Sequence, residues 1–328
     1  MARAWHLVNR PKGLPTDADF ELRELELPPL EDGMVRVRNL WLSVDPYMRG
    51  RMNDVKSYVP AFGLGEPMEG GAIGEVVESK ADGFAPGDLV LHMAGWRDEA
   101  VVSARALMKL PQTGARPEQF LGVLGITGAT AYFGLLDVAS GKAGDIVFVS
   151  AAAGAVGSAV VQIAKAKGMT VVGSAGGAEK CDFVRSLGAD RVVDYKAQPI
   201  LKGLAAAAPD GIDVYFDNVG GDHLDAALAI ARNNARFAIC GMIDSYNDAA
   251  PTSLRFIMRI IAARIQLKGF IVFDFQSRMD EFHRDMGQWL ASGAVTSRET
   301  IVDGLDTMPD AFRGLFAGAN VGKMLVRL

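Results

Sequence analysis

The spacing of apolar residues divides the chain into two regions of different texture. Residues 1 to about 120 carry short runs in which apolar and polar positions alternate, such as 34–38 and 74–78, and Pro and Gly interrupt these runs. Alternation with a period of two is typical of strands that bury one face. A turn at residues 84–88 leads into a further strand at 89–91. This region is predicted to form a β-rich domain.

From about residue 145 to 272, continuous apolar runs alternate with helical segments. The run 146–149 predicts a fully buried strand, and an amphipathic helix follows it and ends at Gly168. Such alternation indicates a parallel sheet covered by helices on both faces. The other predicted elements are a helix at about 178–187, ended by Gly188, and strands at 170–172, 191–193, 214–216, 236–240 and 267–272.

The last stretch of the chain, from about residue 286, returns to helices and short strands. It ends in the apolar run 324–326, which we expect to rejoin the first domain. At about 150 residues per domain, a chain of 328 residues is long enough for two domains. The predicted architecture is therefore α/β, with a β-rich region that takes in both ends of the chain and a region of alternating strands and helices between them.

Composition and charge restrict the classes of function. The net charge is −5 and the basic residues are scattered, which argues against nucleic acid or an anionic membrane as the main partner. No apolar stretch reaches the roughly 20 residues of a spanning helix, and the first ten residues lack the pattern of a secretory signal. We therefore expect a cytoplasmic protein in which the two cysteines, Cys181 and Cys240, are free thiols.

A dinucleotide-binding fingerprint follows the first strand of the second region. In the G-x-G-x-x-G template, Ala152 stands at the first position, Gly154 at the second and Gly157 at the third. Gly154 would let a pyrophosphate approach the backbone, and Gly157 would let the helix pack closely on the strand. The amide groups at the start of the helix would then bind phosphate. The alternative is that these small residues serve packing alone.

The end of the next strand predicts the choice of cofactor. A site specific for NAD usually places Asp or Glu about 20 residues after the fingerprint, where it binds the ribose 2′-hydroxyl. The run 171–175 ends in Gly, Ser and Ala without an acid, and Lys180 follows it. A lysine here would neutralise a 2′-phosphate, which favours NADP(H). The alternative is that Lys180 is a solvated helix lysine.

The histidines and cysteines do not form a metal-binding pattern. None of His6, His92, His223 and His283 lies at ligand spacing from another histidine or from a cysteine, so no metal site is predicted and catalytic zinc is not expected. Hydride transfer without a metal favours an acceptor that is already activated, such as a double bond conjugated to a carbonyl group.

Several ordered motifs resemble one known family. They lie at residues 41–49, 149–157, 175–180, 216–221, 240–247 and 318–323. The resemblance is to the zinc-independent medium-chain dehydrogenase/reductases, and within them to the NADPH-dependent enone reductases: prostaglandin/leukotriene reductases, plant alkenal double-bond reductases and bacterial curcumin reductases. The bacterial group is the most similar, through 176–181 and 286–289.

The resemblance implies a β-rich, GroES-like barrel as the catalytic domain, from residues 1–123 and 300–328, and a doubly wound Rossmann domain from residues 124–299. It also implies a homodimer joined through the Rossmann domains. It also implies NADPH-dependent reduction of the carbon–carbon double bond of α,β-unsaturated ketones and aldehydes. The implied cofactor-binding residues are Gly154, Ala155, Val156, Gly157, Lys180, Tyr195, Asn218, Cys240, Gly241, Met242, Ile243, Asp244, Ser245, Tyr246, Phe270, Ile271, Val272 and Asn320.

Three tyrosines are the implied catalytic residues. Tyr246 matches a tyrosine proposed as catalytic in the plant relatives, and Tyr47 and Tyr58 match tyrosines of the substrate cleft. The alternatives are that Tyr246 only contacts the cofactor and that Tyr47 is a core aromatic residue. The residues do not decide which tyrosine stabilises the enolate.

Two departures from the family pattern and two rival functions remain. Residues 125–128 read Gly-Ile-Thr-Gly where relatives often have Gly-Met-Pro-Gly. Prostaglandin-handling members carry a tyrosine near position 262, where this chain has Ala262. The second departure argues against a prostaglandin substrate. The rival functions are a quinone reductase that uses the same cofactor and an NADPH-binding protein without turnover.

Overall fold

The computed structural model describes residues 1–248, 250 and 252–328, which divide into two compact units. Unit 1 contains Met1–Leu121, Glu299–Asn320 and Met324–Leu328, and unit 2 contains Gly122–Arg298 and Val321–Lys323. In these described ranges, none of the helices is long and apolar enough to cross a lipid bilayer.

Unit 1 begins with antiparallel strands that alternate buried and exposed positions, as the sequence pattern predicts. In β3, for example, Val35 and Val37 are fully buried whereas Arg38 faces solvent. Strand β1 pairs with β2, and β3 pairs with both β4 and β6. In chain order the elements are β1 (Ala2–Leu7), β2 (Phe20–Leu25), β3 (Met34–Ser43), α1 (Tyr47–Arg51), β4 (Ala72–Ser79), β5 (Leu89–His92), β6 (Glu99–Ser103) and β7 (Met108–Lys109).

Unit 2 contains a six-stranded sheet in which neighbouring strands are parallel. Its elements are α2 (Ile126–Phe133), β8 (Ile146–Val149), α3 (Ala155–Ala166), β9 (Thr170–Ala175), α4 (Ala178–Ser186), β10 (Arg191–Asp194), α5 (Ile200–Ala207), β11 (Ile212–Asp217), α6 (Gly221–Ile230), β12 (Ala231–Ile239), α7 (Arg259–Ala262), β13 (Gln266–Gly269) and α8 (Met279–Ser292).

The strand order of this sheet is β10-β9-β8-β11-β12-β13. The chain runs outwards from β8 to β10 and then returns to β11 on the other side of β8. This is the doubly wound arrangement that the sequence predicts. The order in which the chain adds strands reverses between β8 and β11, which are themselves parallel. Gly168 and Gly188 follow α3 and α4 with φ of 77° and 96°, as expected for residues that end helices.

The prediction of a strand through residue 272 is wrong. Strand β13 ends at Gly269, and a 3-10 turn begins at Val272. Strand β13 ends at Gly269 because its partner strand ends there. Within the described residues β13 pairs with β12 alone, and β12 ends at Ile239, opposite Gly269. All four residues of β13 are exposed at the edge of the sheet.

The C-terminal elements build part of unit 1. They are β14 (Glu299–Asp303), α9 (Met308–Ala317) and β15 (Lys323–Arg327). Strand β15 pairs antiparallel with β3, which gives the sheet order β14-β15-β3-β4-β5-β7. The fully buried Trp96 stacks on Phe20 and meets the edge of Phe312 in α9, each at 5.9 Å between ring centres. Residues near both ends of the chain therefore share one hydrophobic core.

Candidate active site

Most of the predicted cofactor-binding residues follow the carboxyl ends of parallel strands in unit 2. Because those ends meet at one edge of the sheet, the structure brings these residues together where ligands collect in open α/β folds. The fingerprint follows β8, Lys180 follows β9 and Tyr195 follows β10; Asn218 follows β11, residues 240–246 follow β12 and residues 270–272 follow β13. Asn320 is the exception, since it belongs to unit 1.

The turn between β8 and α3 has the shape that the fingerprint predicts. A Cβ atom placed on Gly157 would overlap the backbone oxygen of Ala151, so only glycine allows this close packing. Gly154 caps α3 in an extended conformation, and the nearest atom to a Cβ there would be the same oxygen, at 3.3 Å. The first amide groups of α3 have no acceptor within the helix. This turn therefore fits the pyrophosphate of a dinucleotide.

The ends of β9 and β10 are joined by one carboxylate. Asp194 Oδ1 accepts hydrogen bonds from the backbone nitrogens of Gly177 and Lys196, at 3.0 and 2.9 Å. These hydrogen bonds, that of Gly177 foremost, hold the pKa of Asp194 below its usual value. The ring of Tyr195 lies against the backbone of Gly176, where a Cβ atom would come within 2.8 Å of its hydroxyl oxygen. The segment before Lys180 and the segment of Tyr195 thus form one surface.

Two lysines lie close together at this surface. The ammonium group of Lys180 is half-buried, and its pKa is lowered first by burial and then by the charge of Lys196. The end of β9 carries no acid, and the Asp194 carboxylate at the end of β10 already accepts hydrogen bonds from backbone N–H groups. Two neighbouring cations here therefore favour an anionic ligand. Lys196 is not among the residues predicted from the sequence, although its position directly after Tyr195 was a signal. The 2′-phosphate of NADP(H) fits this pair of charges.

The loop after β12 carries Tyr246. The hydroxyl oxygen of this half-buried residue accepts a hydrogen bond of 3.4 Å from the backbone nitrogen of Met242. Residues Ile243–Ser245 form a single 3-10 turn between them. Burial raises the pKa of the Cys240 thiol to about 12, so this residue is a neutral thiol and a poor nucleophile at neutral pH.

Phe270 packs against β11 and against the helical segment that contains Gly134. Its ring meets that of Phe216 edge-on at 6.3 Å, and a Cβ atom on Gly134 would strike it. Ile271 and Val272 follow as half-buried residues at the start of the 3-10 turn. These three predicted residues therefore lie just beyond β13 and not within it.

The predicted cleft tyrosines Tyr47 and Tyr58 belong to unit 1. Tyr47 is the first residue of α1 and is half-buried, whereas Tyr58 is exposed. Burial, and after it the negative charge of Asp45, raises the pKa of Tyr47, so its phenol is neutral and can donate a hydrogen bond. In the same helix Arg51 pairs with Glu69 at 2.7 Å.

The arginine of the motif at residues 41–49 has a structural role that sequence reasoning missed. Arg49 is 4% exposed, and its guanidinium group donates hydrogen bonds to the backbone oxygens of Pro11 and Gly13 and to the side chain of Asn53. These bonds tie the N-terminal loop to α1. The motif therefore contributes to folding as well as to the predicted cleft.

The potential metal ligands do not assemble. Among residues 1–248, 250 and 252–328, no group of three or more His, Cys, Asp or Glu side chains is placed to hold a metal ion. Burial lowers the pKa of His92 and of His223 to about 4, and each ring packs separately, in unit 1 and unit 2 respectively. The described donor groups do not fit a catalytic zinc ion.

Comparison with known proteins matches parts of both units to oxidoreductases. A family model described as the N-terminal domain of oxidoreductase matches residues 3–110, and one described as zinc-binding dehydrogenase matches residues 155–291. The NADPH-dependent curcumin reductase of Escherichia coli is 43% identical over 99% of this chain and 96% of its own length. Prostaglandin reductase 1 of Bos taurus is 41% identical over 99% of both chains.

A solved structure matches the whole fold. The crystal structure of CurA from Vibrio vulnificus in complex with NADPH superimposes with a TM-score of 0.94 at 42% identity, covering 99% of this chain and 98% of CurA. Similarity of this extent includes both units, and with unit 2 the fingerprint. The chain therefore belongs to the enone reductase family of the medium-chain dehydrogenase/reductases.

Proposed function

We propose that this protein reduces the carbon–carbon double bond of α,β-unsaturated ketones and aldehydes, with NADPH as the hydride donor and the β-carbon as the acceptor. The observation that carries the choice of cofactor is the pair of lysines, Lys180 and Lys196, at the ends of β9 and β10. The reaction is supported by the 43% identity to a curcumin reductase, because curcumin is a conjugated enone.

NADPH, when bound, supplies the hydride. Gly154 and the first amide groups of α3 would hold its pyrophosphate, and Lys180 and Lys196 would bind its 2′-phosphate. Asn218, the loop around Met242 and the segment after β13 would line the remainder. Asn320, in unit 1, is proposed as a further cofactor contact.

The protein's own chemical task is to stabilise the negative charge that develops on the substrate carbonyl oxygen. A neutral phenol can donate one hydrogen bond to this oxygen, and the bond strengthens as the oxygen becomes anionic. Tyr246 is the first candidate donor and Tyr47 the second, with Tyr58 as a residue of the substrate cleft. The α-carbon then takes up a proton to complete the reduction.

A substrate panel tests this function directly. Purified protein and NADPH are mixed with enals, enones and 1,4-quinones, and the loss of NADPH absorbance is followed for each. We expect turnover with enals and enones, together with products saturated at the former double bond. Turnover of quinones alone would identify a quinone reductase, and tight NADPH binding without any turnover would identify a cofactor-binding protein.

Zinc independence and a cytoplasmic location complete the proposal. The dispersed donor groups of the described residues support the first. The second is supported by the two free cysteines, one buried and the other half-buried. We expect the purified protein to contain no stoichiometric zinc.

We also propose a homodimer joined through unit 2. Strand β13 is an exposed sheet edge, and large apolar side chains lie exposed around it: the α7–β13 patch, which consists of Ile257, Met258, Ile261, Leu267 and Phe273. Exposed edges and apolar patches of this kind are usually covered in native proteins. Pairing of two copies at this edge would cover both.

A further inference from the structure

A carboxylate is completely buried at the end of β11, under the proposed cofactor site. Asp217 has no exposed surface, and burial raises its pKa. Its Oδ1 atom accepts hydrogen bonds from the Tyr215 hydroxyl at 2.6 Å and from the backbone nitrogens of Val219 and Gly220 at 2.9 and 2.8 Å. Its Oδ2 atom has no hydrogen-bond partner among the described residues. Burying a carboxyl group costs free energy unless hydrogen bonds compensate, and here all the hydrogen bonds to the side chain fall on Oδ1.

The same carboxylate reaches Asn218 through a serine. The hydroxyl of Ser150 lies 3.3 Å from Asp217 Oδ1 and accepts a hydrogen bond from the backbone nitrogen of Asn218 at 2.9 Å. The backbone oxygen of Ser150 accepts a second bond from the Asn218 side-chain amide, at 2.8 Å. Ser150 directly follows β8 and precedes the fingerprint turn. Asn218 is therefore fixed on both its main chain and its side chain.

The main chain of Asp217 fixes the next strand end as well. Its backbone oxygen accepts hydrogen bonds from the backbone nitrogens of Cys240 and Gly241, at 2.9 and 3.0 Å. Asp217 thus links the carboxyl ends of β8, β11 and β12. Strands β8 and β11 flank the reversal of strand order, where the proposed cofactor lies, and β12 is the next strand of the sheet.

We infer that Asp217 is a positioning residue, whose buried side chain fixes the loop of residues 218–220 and through it sets the affinity for NADPH. The inference rests on the proposed function. Asp217 would not touch the cofactor itself, because its side chain is completely buried. It acts by holding Asn218 and the backbone beside it in the shape that receives the ligand.

The bonding pattern makes a sharp distinction between two substitutions. All the donors around Asp217 are directed at one oxygen, so the amide oxygen of asparagine can replace it. The side-chain nitrogen of Asp217→Asn would take the place of Oδ2, which has no partner in the described structure. Asp217→Ala removes this acceptor, so the Tyr215 hydroxyl and the backbone N–H groups of Val219 and Gly220 lose their hydrogen bonds to it.

The test is the dissociation constant for NADPH, measured by fluorescence titration, for Asp217→Asn, Asp217→Ala and Ser150→Ala. Each protein is also melted, and the titration is done at a temperature where it is fully folded. Leu204→Ala is the matched control, because it removes carbon from the core of unit 2 without touching the loop. Saturating enone reduction is measured for each variant to separate KM for NADPH from kcat.

We expect Asp217→Ala to raise the NADPH dissociation constant about tenfold or more, and Asp217→Asn to raise it less than about threefold. The rise should appear in KM for NADPH, with kcat at saturation changed less. Leu204→Ala should lower the melting temperature and leave the dissociation constant unchanged. If Asp217→Ala does not fold, Ser150→Ala must show weakened binding, because it removes the hydroxyl that accepts a hydrogen bond from the Asn218 backbone nitrogen and leaves the Asp217 carboxyl in place.

Two results would overturn the inference. The first is a wild-type dissociation constant for NADPH in folded Asp217→Ala, or in folded Ser150→Ala if Asp217→Ala does not fold. The second is an equal loss of NADPH affinity in Asp217→Asn and Asp217→Ala. Failure of the proposed function is distinguishable, since the wild-type protein itself would then neither bind NADPH tightly nor reduce enones.

Discussion

The phenol oxygen of Tyr246 accepts a hydrogen bond from the backbone nitrogen of Met242, four residues earlier in the chain. Gly241 makes room for this contact, because a Cβ atom there would lie 3.1 Å from the same oxygen. The side chain of Tyr246 therefore folds back along the loop that is proposed to line the cofactor. A phenol can accept one hydrogen bond and donate another, so the contact is compatible with a role as hydrogen-bond donor and with a role as cofactor clamp.

Replacing Tyr246 with phenylalanine distinguishes these two roles. If the hydroxyl stabilises the enolate, Tyr246→Phe should lower kcat for an enone on the order of ten- to a thousandfold. NADPH affinity should change much less, since the ring and its packing remain. Single-turnover hydride transfer and the NADPH dissociation constant are measured on the same variant. Weaker NADPH binding with an unchanged transfer rate would assign Tyr246 to the clamp.

The cofactor preference depends on Lys180. We expect Lys180→Ala to weaken NADPH binding by about 1.5–3 kcal/mol, because a charge-assisted contact to the 2′-phosphate is lost. The KM for NADH, which lacks that phosphate, should stay nearly constant. Lys202→Ala is the control, since Lys202 is an exposed lysine on α5. Equal effects of Lys180→Ala on the two cofactors would show that this lysine does not read the phosphate.

The parts of the site that the sequence predicted are those governed by local steric rules. The fingerprint glycines are an example, because Gly157 leaves no room for a Cβ atom beside Ala151 and that constraint belongs to one turn. The ends of α3 and α4 at Gly168 and Gly188 are similar, since positive φ is a local demand. The alternation of strands and helices then sufficed to predict a parallel sheet covered by helices on both faces.

The parts that the sequence did not predict depend on residues distant in the chain. The end of β13 is set by the end of β12, about 30 residues earlier, and no pattern within 267–272 encodes it. Lys196 becomes relevant only because β10 lies beside β9, which brings it to Lys180. Asp217 belongs to the family motif at residues 216–221. The positioning role inferred for it depends on a hydrogen bond to Ser150, 67 residues away.

Metal independence predicts resistance to chelation. Enone reduction by the purified protein should be unchanged after prolonged treatment with EDTA or 1,10-phenanthroline, because the described donor groups do not assemble around a metal. A zinc-dependent alcohol dehydrogenase treated in parallel provides the positive control. Stoichiometric zinc in the purified protein, together with turnover that chelator abolishes, would refute the prediction.

The proposed dimer predicts a mass of twice 35.0 kDa in solution. Ile261, which is 72% exposed in the α7–β13 patch, offers the most direct test. We expect Ile261→Glu to shift the protein to the monomer in sedimentation or light scattering, because the substitution places charge in an apolar contact. The matched control is Val55→Glu in unit 1, where Val55 is 60% exposed. A monomeric wild-type protein, or dissociation by the control alone, would contradict the proposed interface.

His92 predicts a loss of stability on mild acidification. Its Nδ1 atom accepts a hydrogen bond from the backbone nitrogen of Ala94 at 3.1 Å, and burial lowers the pKa of the ring from 6.5 to about 4. Since the unfolded chain binds the proton first, the stability contributed by neutral His92 is complete above pH 6.5. It is lost as the pH falls from 6.5 towards 4, and reaches a loss of about 2 kcal/mol at pH 5.

The variant His92→Leu isolates this contribution, because it removes the titrating group and keeps an apolar side chain in β5. The free energy of unfolding is measured by urea denaturation at pH 7.5 and at pH 5 for both proteins. At pH 7.5 the variant should be the less stable, since the Ala94 nitrogen loses its acceptor. The decrease between the two pH values should be about 2 kcal/mol smaller in the variant than in the wild type. Equal decreases in the two proteins would show that His92 is protonated as easily in the folded chain as in the unfolded one.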